Sequence, residues 1–163
     1  MRGRSCHKLV NTYLDQHFFD EYHAWLQPYS QRIKYIQKLL SDDLIDSGRH
    51  RKVYSINNDY VLKVPRASGF SHINEEEWEC FRKRQKYGSR WNKKIDFARC
   101  YLVSITGVSL LVMERLRHIR TPEDYWGDRI PKSWPSWVRE IDCAQCGRNK
   151  LGKLVAFDYS DNF

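Results

Sequence analysis

The sequence predicts an α+β domain. In its N-terminal quarter apolar residues recur at three- and four-residue steps, the mark of amphipathic helices. In two later pairs of segments they alternate with polar residues, the mark of β-hairpins. A charged segment with helical character lies between those pairs, and short strands close the chain. Helices, hairpin, helix, hairpin and a closing irregular stretch make an α+β order.

In chain order, Leu9, Val10, Tyr13, Leu14, Phe18, Tyr22, Trp25 and Leu26 form one apolar face, expected to pack on the rest of the domain. Pro28 interrupts this helix. Ser30 is expected to cap a second one carrying Ile33, Ile36, Leu39 and Leu40. Residues 1–44 thus read as a helical segment packed on residues 45–163 within one domain, which the length of 163 residues suits. Asp46-Ser47-Gly48 reads as a turn. Lys52 to Ile56 and Tyr60 to Val64 alternate across the turn Asn57-Asn58-Asp59, and Pro65 ends the second strand. A charged helix is expected from Asn74 to Tyr87, with Glu75, Glu76 and Glu77 at its start and Gly88 at its stop. Ala98 to Ile105 and Ser109 to Met113 read as strands joined across Gly107. Arg117 to Trp137 is loop-rich, with a helix start at Thr121-Pro122-Glu123-Asp124. Lys153 to Phe157 reads as a short buried strand.

Composition narrows the function class. Hydrophobic residues make up 41% and aromatics 14%, enough to fill a core, so whole-chain disorder is excluded. The net charge of +8 favours an anionic partner: a nucleotide, a nucleic acid or an acidic protein. Five scattered cysteines do not suit a disulfide scaffold. The basic N-terminus has no apolar stretch behind it, as a secretory signal requires, and no run reaches the roughly 18 apolar residues that span a bilayer. A cytoplasmic protein is expected, with no membrane partner.

Four features fall in an informative order. Gly48 sits in a turn before a strand, with Val53 five residues later. Lys63 lies inside the next strand between Leu62 and Val64. The acidic run Glu75 to Glu77 opens a helix, and Asp158 follows an apolar strand in Phe157-Asp158-Tyr159-Ser160. A triphosphate needs cations on one side and a metal-holding carboxylate on the other. A lysine on a rigid strand needs a counter-charge to keep its place. Of the three glutamates, Glu77 is preferred, because its neighbour Trp78 is expected to face the core.

In this order the chain resembles the protein-kinase-like superfamily, as a compact type found in phage and bacteria. Tyr60-Val61-Leu62-Lys63-Val64 is similar to the family's strand-lysine motif. Leu110-Leu111-Val112-Met113-Glu114-Arg115-Leu116 is similar to the strand entering the hinge, where backbone groups bond the adenine edge. Val138-Arg139-Glu140-Ile141-Asp142-Cys143-Ala144-Gln145 is similar to the catalytic loop, and Asp158 stands at the D of the family's D-F-G. The resemblance implies a small-lobe antiparallel sheet with one core helix and a much reduced C-terminal lobe. It implies ATP and Mg²⁺ as cofactors. Gly48, Val53, Lys63, Glu77, Met113, Glu114 and Leu116 would hold the nucleotide, and Asp158 and Gln145 the metal. Glu140 or Asp142 would serve as the base.

The sequence also departs from that pattern. Glu140 stands where the family has Asp, and Gln145 where it has Asn, each one methylene longer. Arg49, His50, Arg51 and Lys52 surround the single Gly48 of the turn, and few residues follow Asp158. These departures point to a degenerate kinase that acts by binding an acidic or nucleic-acid-handling host protein. An active ATP-dependent phosphotransferase is the alternative. A basic nucleic-acid-binding module without a nucleotide site is the third.

The remaining motifs have plainer explanations. Cys143-x-x-Cys146 is a single pair, whereas structural zinc takes four ligands. The run Arg82-Lys83-Arg84-Gln85-Lys86 suits a solvated helix face, since the aromatic residues fall at core spacing instead of interleaving with the charges.

Overall fold

The computed structural model describes residues 3–87, 95–119, 132–139 and 145–157. Three helices lead: α1 (Gly3–Gln16), α2 (Glu21–Leu26) and α3 (Tyr29–Leu39). The strands β1 (Leu44–Ser47), β2 (Arg51–Ser55) and β3 (Tyr60–Pro65) follow, then α4 (Ser71–Tyr87). β4 (Cys100–Ile105) and β5 (Val108–Glu114) complete a five-stranded sheet in the order β1-β2-β3-β5-β4, antiparallel throughout. A second antiparallel sheet has the order β6-β7-β8, from β6 (Arg117–His118), β7 (Cys146–Arg148) and β8 (Leu154–Ala156). The expected α+β class is therefore observed, with both hairpins and the charged helix between them.

The central strands β3 and β5 are buried on both faces, and strand alternation divides the sheet's residues between them. Tyr54, Leu62, Val64, Val103, Leu110 and Val112 pack with Cys6, Val10, Tyr13, Leu14, Ile33, Ile36 and Leu40 of the N-terminal segment. Val61, Cys100, Leu111 and Met113 pack on the other side with Cys80 and Phe81 of α4 and with Cys146 and Leu154 to Ala156 of the small sheet. The register sets Val53 opposite Lys63 and Val61 opposite Met113, so the second face carries all four. The N-terminal helices thus cover the face away from these residues.

Three local expectations need correction. The apolar stripe of the first helix does not continue onto the core. α1 ends at Gln16, Phe18 takes a left-handed backbone (φ 57), and Asp20 caps α2 by accepting from the His23 amide at 2.8 Å. That turn swings the rest of the stripe outward, leaving Phe18, Tyr22, Trp25 and Leu26 exposed. Ser30 does not cap α3. The Pro28 carbonyl already accepts from the Gln31 and Arg32 amides, so the helix closes on Pro28 and holds Ser30 in its first turn. α4 begins at Ser71, so Glu75 to Glu77 lie inside it instead of at its start.

Sequence reasoning also missed elements. Asp46 and Ser47, read as a turn, belong to β1, whose residues are all exposed and so carry no alternation signal. β6 and β7 are too short to show a period. Gly88 and the Thr121 helix start lie outside the described residues. No helix among the described residues is long and apolar enough to cross a membrane.

Candidate nucleotide site

Three residues from three elements meet in the interior. α4 presents Ile73, Glu77, Cys80 and Phe81 to the core at helical spacing, and Asn74 lies beside them. Two polar side chains therefore enter an apolar layer, and each must find partners there. Glu77, fully buried, accepts from the Lys63 ammonium at 3.1 and 3.0 Å through its two oxygens. The Arg51 guanidinium bonds the same carboxylate from β2. Asn74 accepts from Arg51 at 3.3 Å and donates to the carbonyls of Lys63 (3.1 Å) and Ser109 (2.8 Å). Ser109 in turn donates to Glu75 at 2.6 Å. α4 is tied in this way to β2, β3 and β5.

The charges explain the ionisation of the group. Burial pushes the Lys63 ammonium down to about 8; Arg51 adds to the shift and Glu77 opposes it. For Glu77, burial pushes upward, but Lys63 and Arg51 outweigh it and hold the carboxyl below its usual range. Lys63 and Glu77 thus face each other as an ion pair.

Two adjoining cavities open beside it. One, about 250 Å³, is lined by Gly48, Arg49, His50, Arg51, Lys63 and Gln145 among others. The other, about 460 Å³, runs past Val61, Met113, Glu114 and Leu116. Asp46, Val53, Lys63 and Phe157 line both. The first is lined mainly by cationic side chains and the second mainly by apolar ones. Small-molecule sites commonly have this size and mixture. The Phe157 ring, on the wall shared by the two cavities, has its centroid 5.8 Å from the Lys63 nitrogen.

The structure brings together Gly48, Val53, Lys63, Met113, Glu114, Leu116 and Gln145 along this cleft, with Glu77 directly behind Lys63. Glu140, Asp142 and Asp158 lie outside the described residues, as does Cys143. Gly48 differs from expectation in one respect. Its amide donates to the Arg51 carbonyl at 2.9 Å and its carbonyl accepts from Arg66 at 3.1 Å, so this turn is closed on itself.

Sequence reasoning placed Arg51 only within the basic cluster around Gly48, and gave Asn74 and Phe157 no part in the site. Arg51 stands two residues before Val53 and so shares its sheet face, but the carboxylate it meets there comes from α4. Asn74 and Glu77 were legible from the phase set by Ile73, Cys80 and Phe81. Phe157 lies beyond β8, and no pattern in the sequence marks its position on the cleft wall.

The basic run Arg82 to Lys86 lies on the outer side of α4. Glu79, Arg82, Lys83, Gln85 and Lys86 there are all exposed, and Arg82 lies over the Trp78 ring at 4.7 Å. This is a solvated helix face. Cys6, Cys80, Cys100 and Cys146 are buried.

Comparison with protein-family models, with curated proteins and with solved structures finds no match to this chain.

Proposed function

We propose that this chain is a nucleotide-binding domain of protein-kinase-like design that takes ATP in the cleft beside Lys63. The observation that carries the proposal is the buried Lys63–Glu77 ion pair, 3.0 Å long, at the junction of a cationic and an apolar cavity. A buried lysine has a high desolvation cost, and a carboxylate held against it keeps it charged and fixed. A fixed charge at the mouth of a cavity is suited to a phosphate group. The apolar cavity between Val53, Val61, Met113 and Leu116 suits a flat base.

The order of elements supports the same proposal. An antiparallel five-stranded sheet with one helix between β3 and β4, its glutamate on the β3 lysine, is the small-lobe arrangement that the sequence resemblance implies. Gln145 lines the phosphate end and would face a metal carried in with the nucleotide, which would neutralise charge on the phosphates there. The proposal concerns binding. Phosphate transfer would draw on Glu140, Asp142 and Asp158, which are outside the described residues. As a binding module of net charge +8, the domain would present a basic surface to an acidic protein partner.

The test is calorimetric titration of ATP with Mg²⁺ into wild type and Lys63→Ala. Wild type should bind, and the variant should bind at least ~10-fold more weakly, the loss expected for one charged hydrogen bond. Absence of binding by wild type would refute the proposal.

A further inference from the structure

A row of three side chains crosses the cleft face of the sheet. Asp46 of β1 is paired directly with Val53 of β2, and Val53 directly with Lys63 of β3. Residues directly opposite in antiparallel strands share a face, so the Asp46 side chain stands on the face that carries Val53 and Lys63. Two strand spacings, about 10 Å, separate its backbone from that of Lys63. The carboxylate is anchored at one oxygen, Oδ1, which accepts from the Ser47 amide at 2.8 Å. Among the described residues no other group donates to it and no cation pairs with it.

Asp46 also stands at the junction of the two cavities, whose shared lining it forms with Val53, Lys63 and Phe157. The sugar of a nucleotide joins its base to its phosphates. With phosphates in the cationic cavity and the base in the apolar one, the sugar must lie at this junction. The Val53 and Phe157 side chains offer no hydrogen bonds there, and the Lys63 ammonium only donates. Of these four side chains only Asp46 accepts. A carboxylate repels phosphate oxygens but accepts from hydroxyl groups, and such charge-assisted bonds are strong. The 2′- and 3′-hydroxyls of ribose are two donors on adjacent carbons, which suits a group with two acceptor oxygens. In the kinase-like pattern G-x-G-x-x-G-x-V, counted back from Val53, position 46 is a glycine. A carboxylate there is particular to this chain.

We propose that Asp46 reads the sugar in this cleft: it accepts from the ribose hydroxyls and makes the site selective for ribonucleotides over deoxyribonucleotides. This rests on the nucleotide proposal above and names the class of nucleotide the site takes. It is independent of a metal carried in at the phosphate end beside Gln145.

The experiment is calorimetric titration of ATP, 2′-deoxyATP and 2′,3′-dideoxyATP, each in excess Mg²⁺, into wild type, Asp46→Ala and Asp46→Asn. Wild type should bind ATP ~10-fold or more tightly than dideoxyATP, the worth of a hydrogen bond to a charged group, with 2′-deoxyATP between them. Asp46→Ala should weaken ATP binding by ~10-fold and change dideoxyATP binding by less than about 3-fold, so that the three nucleotides converge. Asp46→Asn, which keeps an acceptor oxygen without the charge, should fall between. Equal wild-type affinity for ATP and dideoxyATP overturns the inference and leaves the nucleotide site standing. Equal losses of ATP and dideoxyATP in Asp46→Ala also overturn it, because they show the carboxylate acting on the metal, the base or the fold. So does discrimination that survives undiminished in both variants. Should Asp46→Ala not fold, Asp46→Asn decides in its place: discrimination as strong as that of wild type overturns the inference. If wild type binds none of the three, the nucleotide proposal is refuted and this inference falls with it.

Discussion

Lys63 and Arg51 come from neighbouring strands and close on one carboxylate, Glu77, which is fully buried. Two buried cations on one anion make the three residues unequal. Removing either cation leaves the carboxylate with the other. Removing the carboxylate leaves both cations without it inside a dry layer.

Glu77→Ala should therefore be the most damaging single change in the cluster. Loss of one partner from a buried charge pair costs about 3–5 kcal/mol. Lys63→Ala should cost only about 1.5–3 kcal/mol, the worth of a hydrogen bond to a charged group. Urea unfolding of the two variants measures the difference. An equal or reversed order would show that the cluster is not organised around Glu77.

The depressed Lys63 pKa has two consequences of opposite sign. An anion bound beside Lys63 favours its charged form, so binding takes up a proton above pH 8. ATP affinity should be flat below about pH 8 and should fall above it by up to tenfold per unit. Stability moves the other way. Between about pH 8 and 10.5 the unfolded chain retains a lysine proton that the folded chain has released, so Lys63's contribution to stability rises with pH across that window. Titrations at several pH values, and unfolding of wild type against Lys63→Met, test the two signs separately.

Gly147→Ala should loosen the floor of the cleft. A Cβ at Gly147 would lie 2.8 Å from the Leu116 Cβ and 3.2 Å from the Arg117 carbonyl oxygen. β6 and β7 must part to admit it, an overpacking cost of about 1–3 kcal/mol. A lower thermal midpoint with weaker ATP binding is expected, since Leu116 lines the apolar cavity.

Phe18→Gly should stabilise the protein. Phe18 is 90% exposed, so it loses little packing, and its φ of 57 is one that glycine adopts without strain. The left-handed backbone costs a side-chain-bearing residue roughly 1–2 kcal/mol, much of which the substitution recovers. Thermal unfolding should show a rise of a few degrees.

Tyr54→Phe should be neutral or stabilising. The Tyr54 ring is buried between the sheet and the N-terminal helices, and its hydroxyl finds no hydrogen-bond partner among the described residues. Burial pushes that hydroxyl up to about 12, so it is neutral and simply desolvated. Removing it saves a penalty of about 1 kcal/mol. A clear loss of stability would show that the hydroxyl has a partner.

The sequence by itself determined what depends on near neighbours. Alternation placed Val53, Val61 and Lys63 on strands, since residues two apart share a face. It also assigned Glu77 to a helix and set Lys63 between apolar neighbours, which demand a counter-charge. Tertiary structure decided the rest. Phe18, Tyr22, Trp25 and Leu26 keep the helical period of a buried face, yet a single left-handed residue turns them to solvent, and periodicity cannot register a change of direction. The three glutamates are chemically alike; helical phase singles out Glu77, and the tertiary structure sets its full burial and brings both cations to it. Arg51 looked like one member of a basic cluster because charge is read locally in a sequence. Its role is set by strand pairing and by a helix more than twenty residues away, which bring its guanidinium onto the carboxylate that Lys63 also holds.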